Sequence, residues 1–219
     1  MKVYHTNTAY GQQRVNKIRA TVALTGSNVE FEANEKPAAL QKAFRGVLPI
    51  LETSEGVISS SNTIIRHIAN TAQKLYGSNI QEASLVDQWL DVIAFDLEPV
   101  VGALTTAIEG GQTSVFNAWK DATTFLTVVN GQLAKNTYLV GGSISIADIS
   151  LYVNVSVLFQ HAFDAKLRGT FPNVGKWFEI VAKEIGNALP AVTLAEKTHE
   201  NLACSRKEKA PKAEKAEKA

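Results

Sequence analysis

The sequence predicts a two-part chain, an α/β module followed by an all-helical half, and three observations carry that expectation. Residues 2–68 alternate short extended runs with helix-spaced apolar residues. Beyond Tyr76-Gly77-Ser78-Asn79 the strand signals stop, and long stripes at helical spacing replace them. A buried run carrying a proline, Val47-Leu48-Pro49-Ile50-Leu51, closes the first part and leads through a turn to a serine triplet. With 219 residues, 45% of them hydrophobic and 20% charged, the chain can bury a substantial core.

In order, Lys2 to Thr6 is a short strand candidate, and Arg14 to Thr25 places Val15, Ile18 and Val22 on one helix face before Gly26 stops it. Asn28 to Glu32 alternates Val29 and Phe31 with polar neighbours, a half-buried strand. Pro37 opens a short helical piece with Leu40 and Phe44. Pro49 cannot donate to a sheet ladder, so it belongs at a strand's start, on an edge or in a turn. A cis Leu48–Pro49 bond is one solution, and it would leave the Leu48 backbone free to pair with an extended ligand. An ordinary hairpin and capped helix is the plainer reading. Ser54-Glu55-Gly56 is the turn, and Ser59, Ser60 and Ser61 open a helix carrying Ile64, Ile65 and Ile68. Exposed amides at such a helix start suit a carboxylate. Strand, helix, strand, helix, strand, strand, helix is the layout of a thioredoxin-like module.

The second half begins with Leu85, Trp89, Val92, Ile93, Leu97 and Val100 on one stripe; Phe116, Trp119, Leu126, Val129 and Leu133 form another. Trp89 and Trp119 are expected to pack in the core. Ser145 and Asp148 are spaced for an aspartate version of the capping box, with Ile144 and Ile149 placed as a hydrophobic staple. The following helix, through Leu151 and Phe159, is apolar nearly all round and belongs in the middle of a core. Phe171-Pro172-Asn173 starts another helix, with Val174, Trp177, Phe178, Val181 and Ile185 on one face, and Gly186 ends it. The expected division is 1–77, a thioredoxin-like domain; 78–204, an all-helical domain; and 205–219, a solvated tail or linker start of Lys, Glu and Ala.

Composition narrows the chemistry. One cysteine, Cys204, allows no internal disulfide and no C-x-x-C pair, and His5, His67, His161 and His199 lack metal-ligand spacing. No metal is expected. The N-terminus has no signal-peptide pattern and no apolar run reaches membrane-spanning length, so the expected location is cytoplasmic. From Arg206 onward there are six Lys/Arg against three Glu, which leaves the preceding body at about −2 of a net +1. Direct nucleic-acid binding by that body is not expected.

The mixed module with its proline, the Ser60-Ser61-Asn62-Thr63-Ile64 helix start, and Leu139-Val140-Gly141-Gly142 running into Ser145-Ile146-Ala147-Asp148 together resemble the cytosolic glutathione transferase fold. Thr170 through Phe178, then Leu194-Ala195-Glu196-Lys197 and the charged tail, are most similar to the transferase-like N-terminal domain of the gamma subunits of translation elongation factor 1. The resemblance implies a glutathione pocket. In it Leu48 pairs with the cysteinyl backbone, Pro49 is the cis-proline, and Ser61 holds the γ-glutamyl carboxylate at its helix N-terminus. Ser60 stands where an acidic residue is usual, which would forgo a charge-assisted bond of about 1.5–3 kcal/mol. Ala9 falls at the thiol-activating position, leaving Tyr10, with Thr8 behind it, as catalytic candidates. The implied function is a subunit domain that scaffolds the nucleotide-exchange subunit of the elongation factor complex, with glutathione or a related thiol as ligand and weak transferase activity. The alternative is a free glutathione S-transferase conjugating a thiol to small electrophiles; a third reading, a docking domain of the kind attached to tRNA synthetases, rests on the basic tail. Since transferase-like folds usually pair, a homodimer is also implied.

Overall fold

The structure, a computed structural model, describes residues 1–33, 37–43, 46–108 and 116–197. Phe44, His199, Cys204, the 205–219 tail and the side chain of Phe116 lie outside the described residues.

Four strands form one mixed sheet in the order β2-β1-β3-β4. β1 (Lys2–His5) runs parallel to β2 (Glu30–Ala33), with Lys2 opposite Glu30 and His5 opposite Ala33. β3 (Ile50–Glu52) is antiparallel to β1 and to β4 (Val57–Ser59). The crossover between β1 and β2 is α1 (Ala9–Thr25), five residues longer at its start than its apolar stripe indicates. Thr8 explains the extension: its Oγ1 accepts the Gly11 amide at 3.1 Å and caps the helix ahead of Val15. Gly26 ends α1 at φ +75°, its N–H bonded to the Val22 carbonyl. β2 sits slightly later than the Val29 and Phe31 alternation suggests, because Glu30 rather than Asn28 takes up the ladder opposite Lys2. A 3-10 turn (Ala38–Lys42) precedes β3, and the Leu48–Pro49 peptide is cis.

α2 (Ser61–Ala72) buries Ile64, Ile65 and Ile68 against α1 and the sheet. From there the structure is helical. The stripe from Leu85 to Val100 divides into α3 (Ile80–Val92), a π-type segment (Ile93–Leu97) and α4 (Glu98–Ile108). Pro99 has no amide to donate, and at the junction the Glu98 N–H reaches the Ile93 carbonyl five residues back. α5 (Phe116–Gln132), α6 (Ile146–Val157), a second π-type turn (Leu158–Ala162), the short α7 (Ala165–Arg168) and α8 (Pro172–Ile185) complete the bundle. No helix of the described residues is long and apolar enough to cross a membrane.

α6 is the centre of the core, with every residue from Ile146 to Ser156 buried. Asp148, fully buried, organises its start. Its Oδ2 accepts the Ser145 amide and hydroxyl at 3.0 and 2.8 Å, and its Oδ1 accepts the Leu139 amide at 2.9 Å and the Trp177 indole N–H at 3.0 Å. Burial pushes this carboxyl above the usual aspartate range while those donors pull it back. Trp89 and Trp119 are half-buried against the core, the latter with its ring 5.5 Å from that of Phe163.

Candidate functional site

A cleft of about 330 Å³ opens where α1, the segment before β3, the β4–α2 junction and the start of α4 meet. Val47, Leu48, Pro49, Ser60, Ser61 and Asn62 form one wall, and Arg14, Ala94 and Glu98 the other. All four residues expected to hold a thiol ligand, Leu48, Pro49, Ser60 and Ser61, therefore share one cavity.

Local structure explains why the serine wall suits an anion. Ser61 is the first residue of α2 and is buried, and Ser60 before it makes no side-chain cap bond to the helix. The first-turn amides are thus not taken by the cap hydroxyl, which leaves the positive end of the helix facing the cleft. Ser60 holds φ +76° and ψ 127°, a conformation that costs an L-residue on the order of 1–3 kcal/mol.

Behind that wall lies a polar cluster that sequence reasoning missed. Lys17 on α1 is fully buried; its ammonium donates to Asn62 Oδ1 at 3.1 Å and pairs with the Glu98 carboxylate. Burial draws the Lys17 pKa down from 10.5, and Glu98 pulls the other way. The cluster ties α1 to α2 and α4 directly under the cleft. In the sequence, Lys17 sits beside Ile18 on a helix with no other sign of an inward-facing charge, and its partner comes 81 residues later.

Arg14 is the second residue that spacing did not single out. It borders the cleft, and its guanidinium is held by Tyr10: the carbon lies 4.3 Å from the Tyr10 ring centroid, and Nη2 donates to the Tyr10 hydroxyl oxygen at 2.6 Å. The catalytic candidates themselves are placed differently from the binding residues. Thr8 is the cap of α1, its hydroxyl 3.2 Å from that of Thr6, and Tyr10 packs its ring toward Gly102 on α4. Neither lines the cleft. Among the described residues no group of three His, Cys, Asp or Glu could hold a metal ion.

The family model for the C-terminal domain of glutathione S-transferases matches residues 92–184. Elongation factor 1-gamma 3 of Oryza sativa subsp. japonica is 32% identical over 183 residues, which is 77% of this chain and 44% of that protein. A glutathione S-transferase structure from Pseudomonas fluorescens superposes with a TM-score of 0.72 at 26% identity, over 87% of this chain and 98% of the other. Glutathione S-transferase-I bound with lactoylglutathione superposes equally well, at 0.72 and 22% identity, over 85% and 97% of the two chains. The chain spans less than half the length of the elongation factor 1-gamma relatives it matches.

Proposed function

For a chain that has the glutathione transferase fold and is related by sequence to elongation factor 1-gamma, we propose that it serves as the transferase-like domain of a translation elongation factor subunit in the cytoplasm. It holds the nucleotide-exchange subunit and keeps a cleft for glutathione or a related thiol. The observation that carries this reading is the pairing of gamma-subunit kinship with a cleft that brings together Leu48, Pro49, Ser60 and Ser61 but neither Tyr10 nor Thr8. Binding groups are assembled there, while the hydroxyls nominated for thiol activation stand elsewhere. Arg14 adds a positive charge that suits an anionic ligand, and a structure of the same fold bound with lactoylglutathione supports a glutathione-type ligand.

A free transferase is the second reading, favoured by the Ser61 helix terminus facing the same cavity as Arg14. In that case a bound glutathione thiolate attacks an electrophilic carbon and forms the new carbon–sulfur bond as a leaving group departs with its electron pair, or as a π bond opens and the resulting carbanion takes a proton from solvent, with no covalent enzyme intermediate. The chain supplies orientation and a lowered thiol pKa. Arg14, in contact with the Tyr10 hydroxyl, is the cation that lines the cleft, and Tyr10 acts through it.

Calorimetric titration with reduced glutathione tests the cleft, and co-purification and turnover of a Tyr10 variant separate the readings. A dissociation constant in the millimolar range, weakened about tenfold or more by Ser61→Ala, is expected for the cleft. Co-purification with an exchange subunit, together with turnover that Tyr10→Phe leaves unchanged, supports the assembly role. Tyr10→Phe losing turnover while retaining binding favours the free enzyme, and a chain that stays alone at micromolar concentration beside an exchange subunit overturns the assembly reading.

A further inference from the structure

A groove of about 730 Å³ lies on the bundle between α5 and the stretch that runs from Gln88 on α3, through the first π-type segment, to Val100 on α4. Apolar residues recur three apart along both walls, Trp89, Val92 and Phe95 on one and Phe125 and Val128 on the other. Trp89 and Phe125 are half-buried, but Phe95 and Val128 are 78% and 64% exposed. Two large apolar side chains left in water on facing walls of one groove mark a surface that another molecule covers. The groove is separate from the thiol cleft, because Ala94 and Glu98 of the same stretch line the cleft while Phe95, Asp96 and Pro99 line the groove.

Charge and shape narrow the occupant. Asp96 and Asp121, one on each wall, are the charged residues of the lining; no Lys, Arg or His borders it. Both carboxylates are exposed, and neither is in an ion pair with another of the described residues. An apolar trough between two unmatched carboxylates fits an apolar segment with cations along its borders. Its walls are helices, whose backbone groups are already bonded, so an occupant must satisfy its own backbone, as a helix does. From Gln88 to Val100 the wall rises about 18 Å, the length of about three helical turns. The 205–219 tail supplies cations but no large apolar residue to fill the trough. A second copy set groove to groove would bring Asp96 and Asp121 against their own kind.

We propose that this groove docks an amphipathic helix of a partner protein, about three turns long, with bulky apolar residues three and four apart and Lys or Arg on both borders. Its apolar ridge seats between Phe95 and Val128, against Trp89 and Phe125, and its border cations meet Asp96 and Asp121. The inference stands whichever protein supplies the helix and whatever the cleft binds, and so goes beyond the assembly reading.

Two labelled helical peptides test this by fluorescence anisotropy against the whole chain. They share one face of leucine and tryptophan and differ only along its borders, lysine in one and glutamate in the other. The lysine peptide is expected to bind with a dissociation constant of about 100 μM or below, and about tenfold or more tighter than the glutamate peptide. Phe95→Ala and Val128→Ala, both at exposed positions outside the core, should each weaken it about fivefold or more. Asp96→Lys/Asp121→Lys should invert the preference, which the general stickiness of an apolar peptide would not do. Equal binding of the two peptides, a preference unchanged in the double-lysine variant, affinity kept in both alanine variants, or no lysine-peptide binding at about 1 mM each overturns the proposal. So does a light-scattering mass of twice the chain that Val128→Ala halves, since the groove then belongs to a second copy. Failure to co-purify with an exchange subunit changes none of these outcomes, so the two readings fall separately.

Discussion

Ser60 and Lys17 show how much of the site depends on single residues that a local rule disfavours. Ser60 is held at φ +76° in a conformation glycine adopts freely, so Ser60→Gly is expected to raise unfolding free energy by about 1 kcal/mol, read from urea denaturation. Lys17 is a charge buried from solvent with two partners. Lys17→Met strands Glu98 and should cost about 3–5 kcal/mol, while the double variant Lys17→Met/Glu98→Leu should recover most of it. The sign of its pH dependence follows from the lowered pKa. The folded chain holds the Lys17 proton less firmly than the unfolded chain, so the penalty is complete below the lowered pKa. It fades as pH rises from the lowered value toward 10.5. A double variant as unstable as the single one would show that Glu98 is not what Lys17 satisfies.

Among the elements, α6 and its cap were the most legible in the sequence and α1 the least. Ser145, Asp148 and the run from Ile146 to Phe159 carry both a local capping signal and a nearly continuous apolar surface, and the structure buries every residue of it but Val157. Local and global preferences agree there, which is why spacing sufficed. Asp148→Ala removes the acceptor of four donors, Leu139 and Ser145 amides, Ser145 hydroxyl and Trp177 indole. It is expected to destabilise by about 3 kcal/mol or more, against about 1–2 for Ser145→Ala, in thermal or urea unfolding. α1 conveyed less because its early turns are polar. Gln13, Arg14 and Lys17 look like a solvated face until α2, α4 and α6 close over them, and nothing within the helix announces partners 45, 81 and 141 residues away. One wall of the cleft was readable from Pro49 and Ser61; the opposite wall, Arg14 and Glu98, was not. Nor did spacing show the π-type segment that splits the Leu85–Val100 stripe, since an insertion of that kind leaves the apolar period nearly unchanged.

At the scale of the whole molecule, the sheet-bearing part and the bundle are joined by a polar contact as well as by packing. Arg66 of α2 donates to Asp87 at 2.6 Å and to Asp91 at 3.2 Å, both on α3, and the Tyr76 hydroxyl donates to Asp87 at 2.7 Å. Burial first, and the Asp87 carboxylate second, raise the Tyr76 phenol from 10.0 to about 12. A raised phenol favours the fold fully below pH 10 and loses that contribution as pH climbs toward 12. Denaturation midpoints measured across that window should therefore fall more steeply for the parent chain than for Tyr76→Phe, and identical slopes would remove Tyr76 from the account.

The outer strand β2 has a bearing on how the protein behaves when crowded with copies of itself. Its Glu30 and Glu32 project from a marginal strand only four residues long, with Lys2 3.7 and 3.1 Å from their carboxylates. A strand arriving from another molecule would meet two carboxylates at the place where its backbone must dock, and the opposite edge, β4, offers only three residues. Both margins of the sheet, short and on one side flanked by carboxylates, are thus poor templates for polymerisation.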